Sequence, residues 1–246
     1  MDKNENIIQN HLSRYLNCTK DDLLKDEIFF VNNDKRDYPF LEICAIGQTV
    51  IVSASGALLP KVQTLLKNKN RDEIFECPLI YGQSIYYIPD FKILKKLSLN
   101  DSFKYKMLQG DKIQKLRGIT GFENSLAFDE FGNTSTCIVF YAMKGSQIIA
   151  LAGVSKEEDK MWELGVDVKP EFRKIGLASA LISNLALVIL EQGIVPFYCA
   201  SITNIGSQAV AYRSGFIPCW VSTYRNILDG SSVYNDVLKG LIYDFS

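Results

Sequence analysis

The sequence predicts an α/β (α+β) protein, with a mixed central sheet flanked by helices in its second half and a smaller α+β domain before it. Three observations predict this. Runs rich in Ile, Val and Phe, of strand length, are interspersed with segments of helical period. The strand-like run 162–168 leads directly into a glycine-containing turn that opens a long apolar helix. One strand later a second helix begins, with Asn204 as its N-cap and Gly215 at its C-terminal end.

The elements follow in order. Ile7, Ile8, Leu12, Tyr15 and Leu16 recur at helical spacing and predict a helix over 5–17. Thr19, just ahead of Asp21 and Asp22, caps a second short helix. The segments 27–31 and 49–54 read as strands. Pro60 stands where the first turn of a helix over 61–67 accepts it. A strand at 84–88 is closed by Pro89. Residues 89–103, with their lysine-rich run, read as a connection, so the domains are expected at 1–100 and 101–246. In the second, 111–116 is expected to be helical and 118–133 irregular. Strands at 135–143 and 147–154 flank a Lys144-Gly145 turn, and a charged connection at 156–160 leads to the strand 162–168. A helix over 174–192 carries an apolar stripe of Ala178, Leu181, Ile182, Leu185, Val188 and Ile189, and Gly193 fits a left-handed cap. The strand 194–202 completes the pattern.

Composition narrows the function. The net charge is −1, without the basic surplus of a nucleic-acid protein, so no nucleic-acid partner is expected. There are six cysteines and one histidine, and no Cys-x-x-Cys pair. This pattern argues against a metal and for buried thiols in a reducing compartment. No apolar run is long enough to span a bilayer, and the N-terminus carries no apolar signal core. A cytoplasmic protein with no membrane partner is expected. Cys137 and Cys199 lack a histidine partner nearby in the sequence, which argues against a thiol nucleophile.

The strand–turn–helix junction is the most informative feature. A helix N-terminus exposes free N–H groups and the positive end of its dipole, which together receive a diphosphate. Arg173 and Lys174 add cations at its mouth, and Gly176 and Ala178 keep bulky side chains out of the way. On the strand, Trp162, Leu164, Val166 and Val168 share one face, and Glu163, Gly165 and Asp167 share the other. Gly165 marks a bulge or a close backbone approach. A bulge there would splay the strand from 194–202 and leave backbone groups for the amides of pantetheine. In the later helix, Tyr212 carries a phenol, a group able to give a proton to a leaving thiolate.

Two ordered blocks, Arg173-Lys-Ile-Gly176-Leu-Ala178 and Asn204-Ile-Gly-Ser207…Tyr212-Arg-Ser-Gly215-Phe216, resemble the signatures of the GNAT-type N-acetyltransferase superfamily over roughly residues 101–225. The first half shows neither block and resembles the extra N-terminal segment of a two-part branch of that superfamily.

The resemblance implies acetyl-CoA as co-substrate and a primary amine as acceptor, with direct attack and no acyl-enzyme. Val166 and Val168 would bind pantetheine by backbone, with Asp167 between them. Arg173, Lys174, Ile175, Gly176, Leu177 and Ala178 would hold the diphosphate. Asn204 and Ser207 would lie beside the cofactor, Tyr212 would be the general acid, and Glu163 is the candidate base. The identity of the amine and the oligomeric state are not encoded in these motifs. The rival readings are a non-catalytic acyl-CoA-binding sensor and a structural α/β protein whose turn binds nothing.

Overall fold

The computed structural model describes residues 3–34, 40–77, 80, 82–157, 160–223 and 226–227. Contacts divide the chain into two units, Met1–Tyr86 with Cys219–Ser246, and Tyr87–Pro218. The divide expected at residues 100 and 101 is therefore drawn at Tyr86 and Tyr87. The chain also re-enters the first unit at Cys219, because Trp220–Ser222 pair with a strand there.

In the first unit, helix α1 (Lys3–Leu16) buries Ile8, Leu12 and Leu16, as its periodicity predicts. Thr19 and Asp22 cap each other reciprocally at the start of a 3-10 turn, Asp22–Leu24. Strand β1 (Ile28–Asn32) runs parallel to β3 (Thr49–Ala54), and β2 (Phe40–Ile46) is antiparallel to β3. Strand β2 was not expected. Phe40 to Ala45 are all buried, so no alternation marks the strand. Helix α2 (Leu59–Leu66) has Pro60 in its first turn. Helix α3 (Arg71–Phe75), not expected from the sequence, starts with a capping box between Asn70 and Glu73. Val62, Leu66 and Ile74 pack with Ile43, Val50 and Val52 as this unit's core. Strand β4 (Gln83–Pro89) leads into the second unit.

The second unit holds a meander. Strands β5 (Lys104–Gln109), β6 (Thr136–Lys144), β7 (Gln147–Lys156) and β8 (Met161–Val168) are successively antiparallel, and β9 (Val195–Ser201) is parallel to β8. The turn at Lys144-Gly145 is where the sequence places it, with Gly145 at φ +62°. The segment expected to be helical at 111–116 is a 3-10 helix, Gly110–Leu116. The stretch 118–133 is irregular but anchored: Phe122 and Leu126 are buried with Ile113, Val139 and Leu151.

Helix α4 (Leu177–Leu190) crosses the sheet against β6, β7, β8 and β9. Of the expected stripe, Leu181, Ile182, Leu185 and Ile189 are buried but Ala178 and Val188 only partly, while Ser179, Ser183, Asn184 and Ala186 are buried as well. At Ser183 and Asn184 the cover is the lysine-rich connection, which lies along the helix. Ser183 Oγ donates to the Lys95 carbonyl at 2.5 Å, and Asn184 Nδ2 donates to the Leu97 carbonyl at 2.9 Å. Helix α5 (Ile205–Arg213) and strand β10 (Phe216–Thr223) follow. Gly215 between them has φ +89°, and a Cβ there would lie 2.6 Å from Leu94 Cα.

Candidate active site

The cleft begins where two strands part. Strand β8 pairs with β9 from Met161↔Val195 to Leu164↔Tyr198, and pairing ends there. On its other edge β8 stays paired with β7 as far as Ala150↔Val168. Residues 165–168 therefore keep one neighbour and lose the other. Of the two readings open at Gly165, the bulge is absent, because the register with β7 runs through Gly153↔Gly165 without a shift. Gly165 instead marks a close approach. A Cβ there would lie 1.9 Å from the Asn124 carbonyl oxygen, and one on Gly153 would lie 1.8 Å from that of Ser125.

Beyond Val168, Pro170–Phe172 form a 3-10 turn, and Lys174 (φ +64°) and Gly176 (φ +86°) are left-handed. Helix α4 then starts at Leu177, and its first internal bond is Ala180 N–H to the Gly176 carbonyl at 3.0 Å. The N–H groups of residues 177–179 thus precede the helical ladder, at the positive end of a helix of 14 residues. A Cβ at Gly176 would meet no atom within 4 Å, so the space above the turn is open. Arg173 bends back, and its Nε donates to the Val168 carbonyl at 3.0 Å.

Between these elements lies a cavity of about 720 Å³. Ten of the residues that the sequence singles out line it: Val166, Asp167, Val168, Arg173, Lys174, Gly176, Leu177, Ala178, Asn204 and Ser207. Ile175 does not. It is 51% exposed and lines an adjoining recess of about 310 Å³. A helix terminus with free N–H groups, open to a cavity, is chemically suited to an anionic group.

Individual side chains refine this picture. The Asp167 carboxylate is taken up by a neighbouring turn: it accepts from Asn124 Nδ2 at 2.6 Å, Ser125 N–H at 2.9 Å and Ser125 Oγ at 2.7 Å. Asn204 caps α5 by accepting from Ser207 N–H at 3.0 Å. Ser207 Oγ lies 2.6 Å from the Tyr198 hydroxyl. Burial pushes the Tyr198 phenol up, and the Ser207 hydrogen bond opposes that rise. Burial also pushes the Glu163 carboxyl up to about 7, with the Glu157 charge adding to it. Glu163 is outside the cavity lining, on the β8 face that carries Gly165 and Asp167. Tyr212 is also outside it, 54% exposed, with its ring edge-on to Tyr87 at 5.6 Å.

Sequence reasoning missed Tyr198, Asn124, Phe172 and Arg213, all of which line the cavity. For Asn124 a signal existed in Gly153 and Gly165, two strand glycines with no turn to explain them. Among the described residues, no group of three or more His, Cys, Asp or Glu side chains could hold a metal ion. No described helix is long and apolar enough to cross a membrane.

The GNAT acetyltransferase family model matches residues 98–220, half of the 246. No curated protein matches the chain. A GCN5-related N-acetyltransferase-like protein from Streptococcus suis superposes with a TM-score of 0.50 at 17% identity, covering 79% of this chain and 86% of that one. A GCN5-related N-acetyltransferase from Kribbella flavida has a TM-score of 0.48 at 13% identity, covering 63% of this chain and 62% of that one. An acetyltransferase from the GNAT family of Colwellia psychrerythraea has a TM-score of 0.44 at 15% identity, with coverage of 63% and 62%. The chain thus spans less than two thirds of the length of these last two. The meander, the parted strands and the crossing helix are the GNAT fold, and with the match over half its length the chain belongs to the GNAT acetyltransferase family.

Proposed function

We propose that the protein transfers an acetyl group from acetyl-CoA to a primary amine by direct attack. One observation carries this reading: the β8–β9 gap opens onto the N-terminus of α4, so an extended arm and a diphosphate have adjoining places. The unpaired edge of residues 165–168 offers backbone groups to the amides of pantetheine. The free N–H groups of α4, with Arg173 and Lys174, meet the diphosphate. Only the Nε of Arg173 is engaged, on the Val168 carbonyl, so its Nη groups remain to meet the diphosphate.

In the reaction, the neutral amine nitrogen attacks the thioester carbonyl carbon, and the backbone N–H of Val166 meets the charge developing on oxygen. The C–S bond breaks as the amide forms. The thiolate takes a proton from Tyr212, and the amine's proton passes to Glu163, directly or through water. Glu163, raised to about 7, suits a base working near neutrality.

The experiment is thiol release from acetyl-CoA with a panel of primary amines, aminoglycosides and peptide N-termini. Steady release with at least one amine supports the reading. Acetyl-CoA binding by calorimetry without release from any of them favours the second reading, a non-catalytic acyl-CoA sensor. That reading draws on one observation, the position of Tyr212 outside the cavity lining. The site is expected in the cytoplasm, where acetyl-CoA is available.

A further inference from the structure

We infer that Asn124, held in place by Asp167, is a specificity-determining residue that restricts the acyl group to short chains. This rests on the acyl-CoA reading above. A diphosphate seated at residues 173–178 fixes which way the ligand runs: its arm passes back along β8 toward the point where pairing with β9 resumes. From Val168 to Leu164 is about 13 Å at 3.3 Å per residue. The acyl end therefore meets the closed end of the gap, at Leu164 and Tyr198. The turn bearing Asn124 stands at that end, against Gly165.

This turn is built as a fixed wall. Its backbone touches β8 and β7 so closely that neither Gly165 nor Gly153 has room for a Cβ. Ser125 N–H and Leu126 N–H both donate to the Phe122 carbonyl, at 3.1 and 2.8 Å, and Phe122 and Leu126 are buried. The Asp167 carboxylate fastens the turn from the cavity side with three hydrogen bonds. A carboxylate only accepts, so the Asn124 amide must turn its NH₂ to Asp167, which fixes the side-chain rotamer. A wall so held cannot withdraw for a longer acyl chain. Asp167 is then a positioning residue, and Asn124 is the group that the acyl end meets.

The test is calorimetric titration of the full chain with acetyl-CoA, butanoyl-CoA, hexanoyl-CoA and CoA itself. The readout is the ratio of the hexanoyl-CoA to the acetyl-CoA Kd, taken within each variant so that general damage cancels. The wild type should show a ratio of at least about tenfold. Asn124→Ala should lower that ratio at least fivefold, and Asp167→Asn, which cannot accept all three hydrogen bonds, should lower it in the same direction. Glu123→Ala, in the same turn but with its carboxylate on the Gly121 N–H, should keep the wild-type ratio. A wild-type ratio near one, or an unchanged ratio in either Asn124→Ala or Asp167→Asn, overturns the inference and leaves the acyl-CoA reading standing. Binding of none of the four compounds by the wild type sinks both.

Discussion

The Tyr198 hydroxyl and Ser207 Oγ stand 2.6 Å apart and tie strand β9 to helix α5 beside the cleft. Tyr198 is 4% exposed, so its hydroxyl depends on this partner. Ser207→Ala should therefore destabilise the protein by about 1–3 kcal/mol, the cost of a buried unpaired hydroxyl. Tyr198→Phe leaves only the half-buried serine without its partner and should cost about 1 kcal/mol. Urea denaturation of both single variants and the double variant checks the pair. The double variant should lose less than the sum of the two singles, and strict additivity would mean that the two groups do not interact.

Glu163 sets the pH dependence. Its carboxyl is raised from an ordinary 4.5 to about 7, by burial first and by Glu157 second. The folded state thus holds this proton more tightly than the unfolded state. The stability it contributes is fully present below 4.5 and is lost as pH rises through about 7, a change on the order of 3 kcal/mol. Thermal unfolding between pH 4.5 and 8 should show this decline, and Glu163→Gln should flatten it. Turnover should move the other way, rising through pH 7 as the base ionises, and Glu157→Gln should shift that rise to lower pH. A Glu163→Gln profile that keeps the wild-type rise would remove Glu163 as the base.

Tyr87 and Tyr212 meet edge to face but should respond to substitution in opposite ways. Tyr87 is fully buried, and its hydroxyl has no hydrogen-bond partner among the described residues. Tyr87→Phe should be neutral or stabilise by up to about 1 kcal/mol, since it removes an unsatisfied polar group. Tyr212→Phe should leave stability nearly unchanged and slow turnover by roughly 10²-fold, the lower end of the range for proton transfer by a positioned acid. Unchanged turnover would move the acid role elsewhere, with Tyr198 the nearest phenol in the cavity lining.

The sequence made the strand–turn–helix junction legible because each of its signals is local. Pro170, Gly176, Asn204 and Gly215 act through their own backbone or caps, and the structure shows each acting so. Strand β2 stayed hidden because both its faces are buried, and burial removes the alternation on which recognition relies. The wall at Asn124 stayed hidden for another reason. It depends on contacts across 42 and 43 residues, Ser125 and Asn124 to Asp167, which no local pattern encodes. Asp167 shows the limit well. Its place on the cavity wall followed from its strand, but the partners of its carboxylate followed from the fold.

Gly176 tests the diphosphate seat. Its φ of +86° costs any other residue about 1–3 kcal/mol of backbone strain, yet a Cβ there meets open space. Gly176→Ala should therefore lower stability without blocking the cleft and weaken acetyl-CoA binding only a few-fold. Gly176→Glu carries the same backbone strain and adds a negative charge where the diphosphate would sit. It should weaken binding at least a further hundredfold, about 2.7 kcal/mol. Gly176→Arg, equally strained but cationic, should bind at least as well as Gly176→Ala. Calorimetric titration of the three variants with acetyl-CoA separates strain from charge. Equal affinities for the glutamate and arginine substitutions would mean that no phosphate approaches the turn.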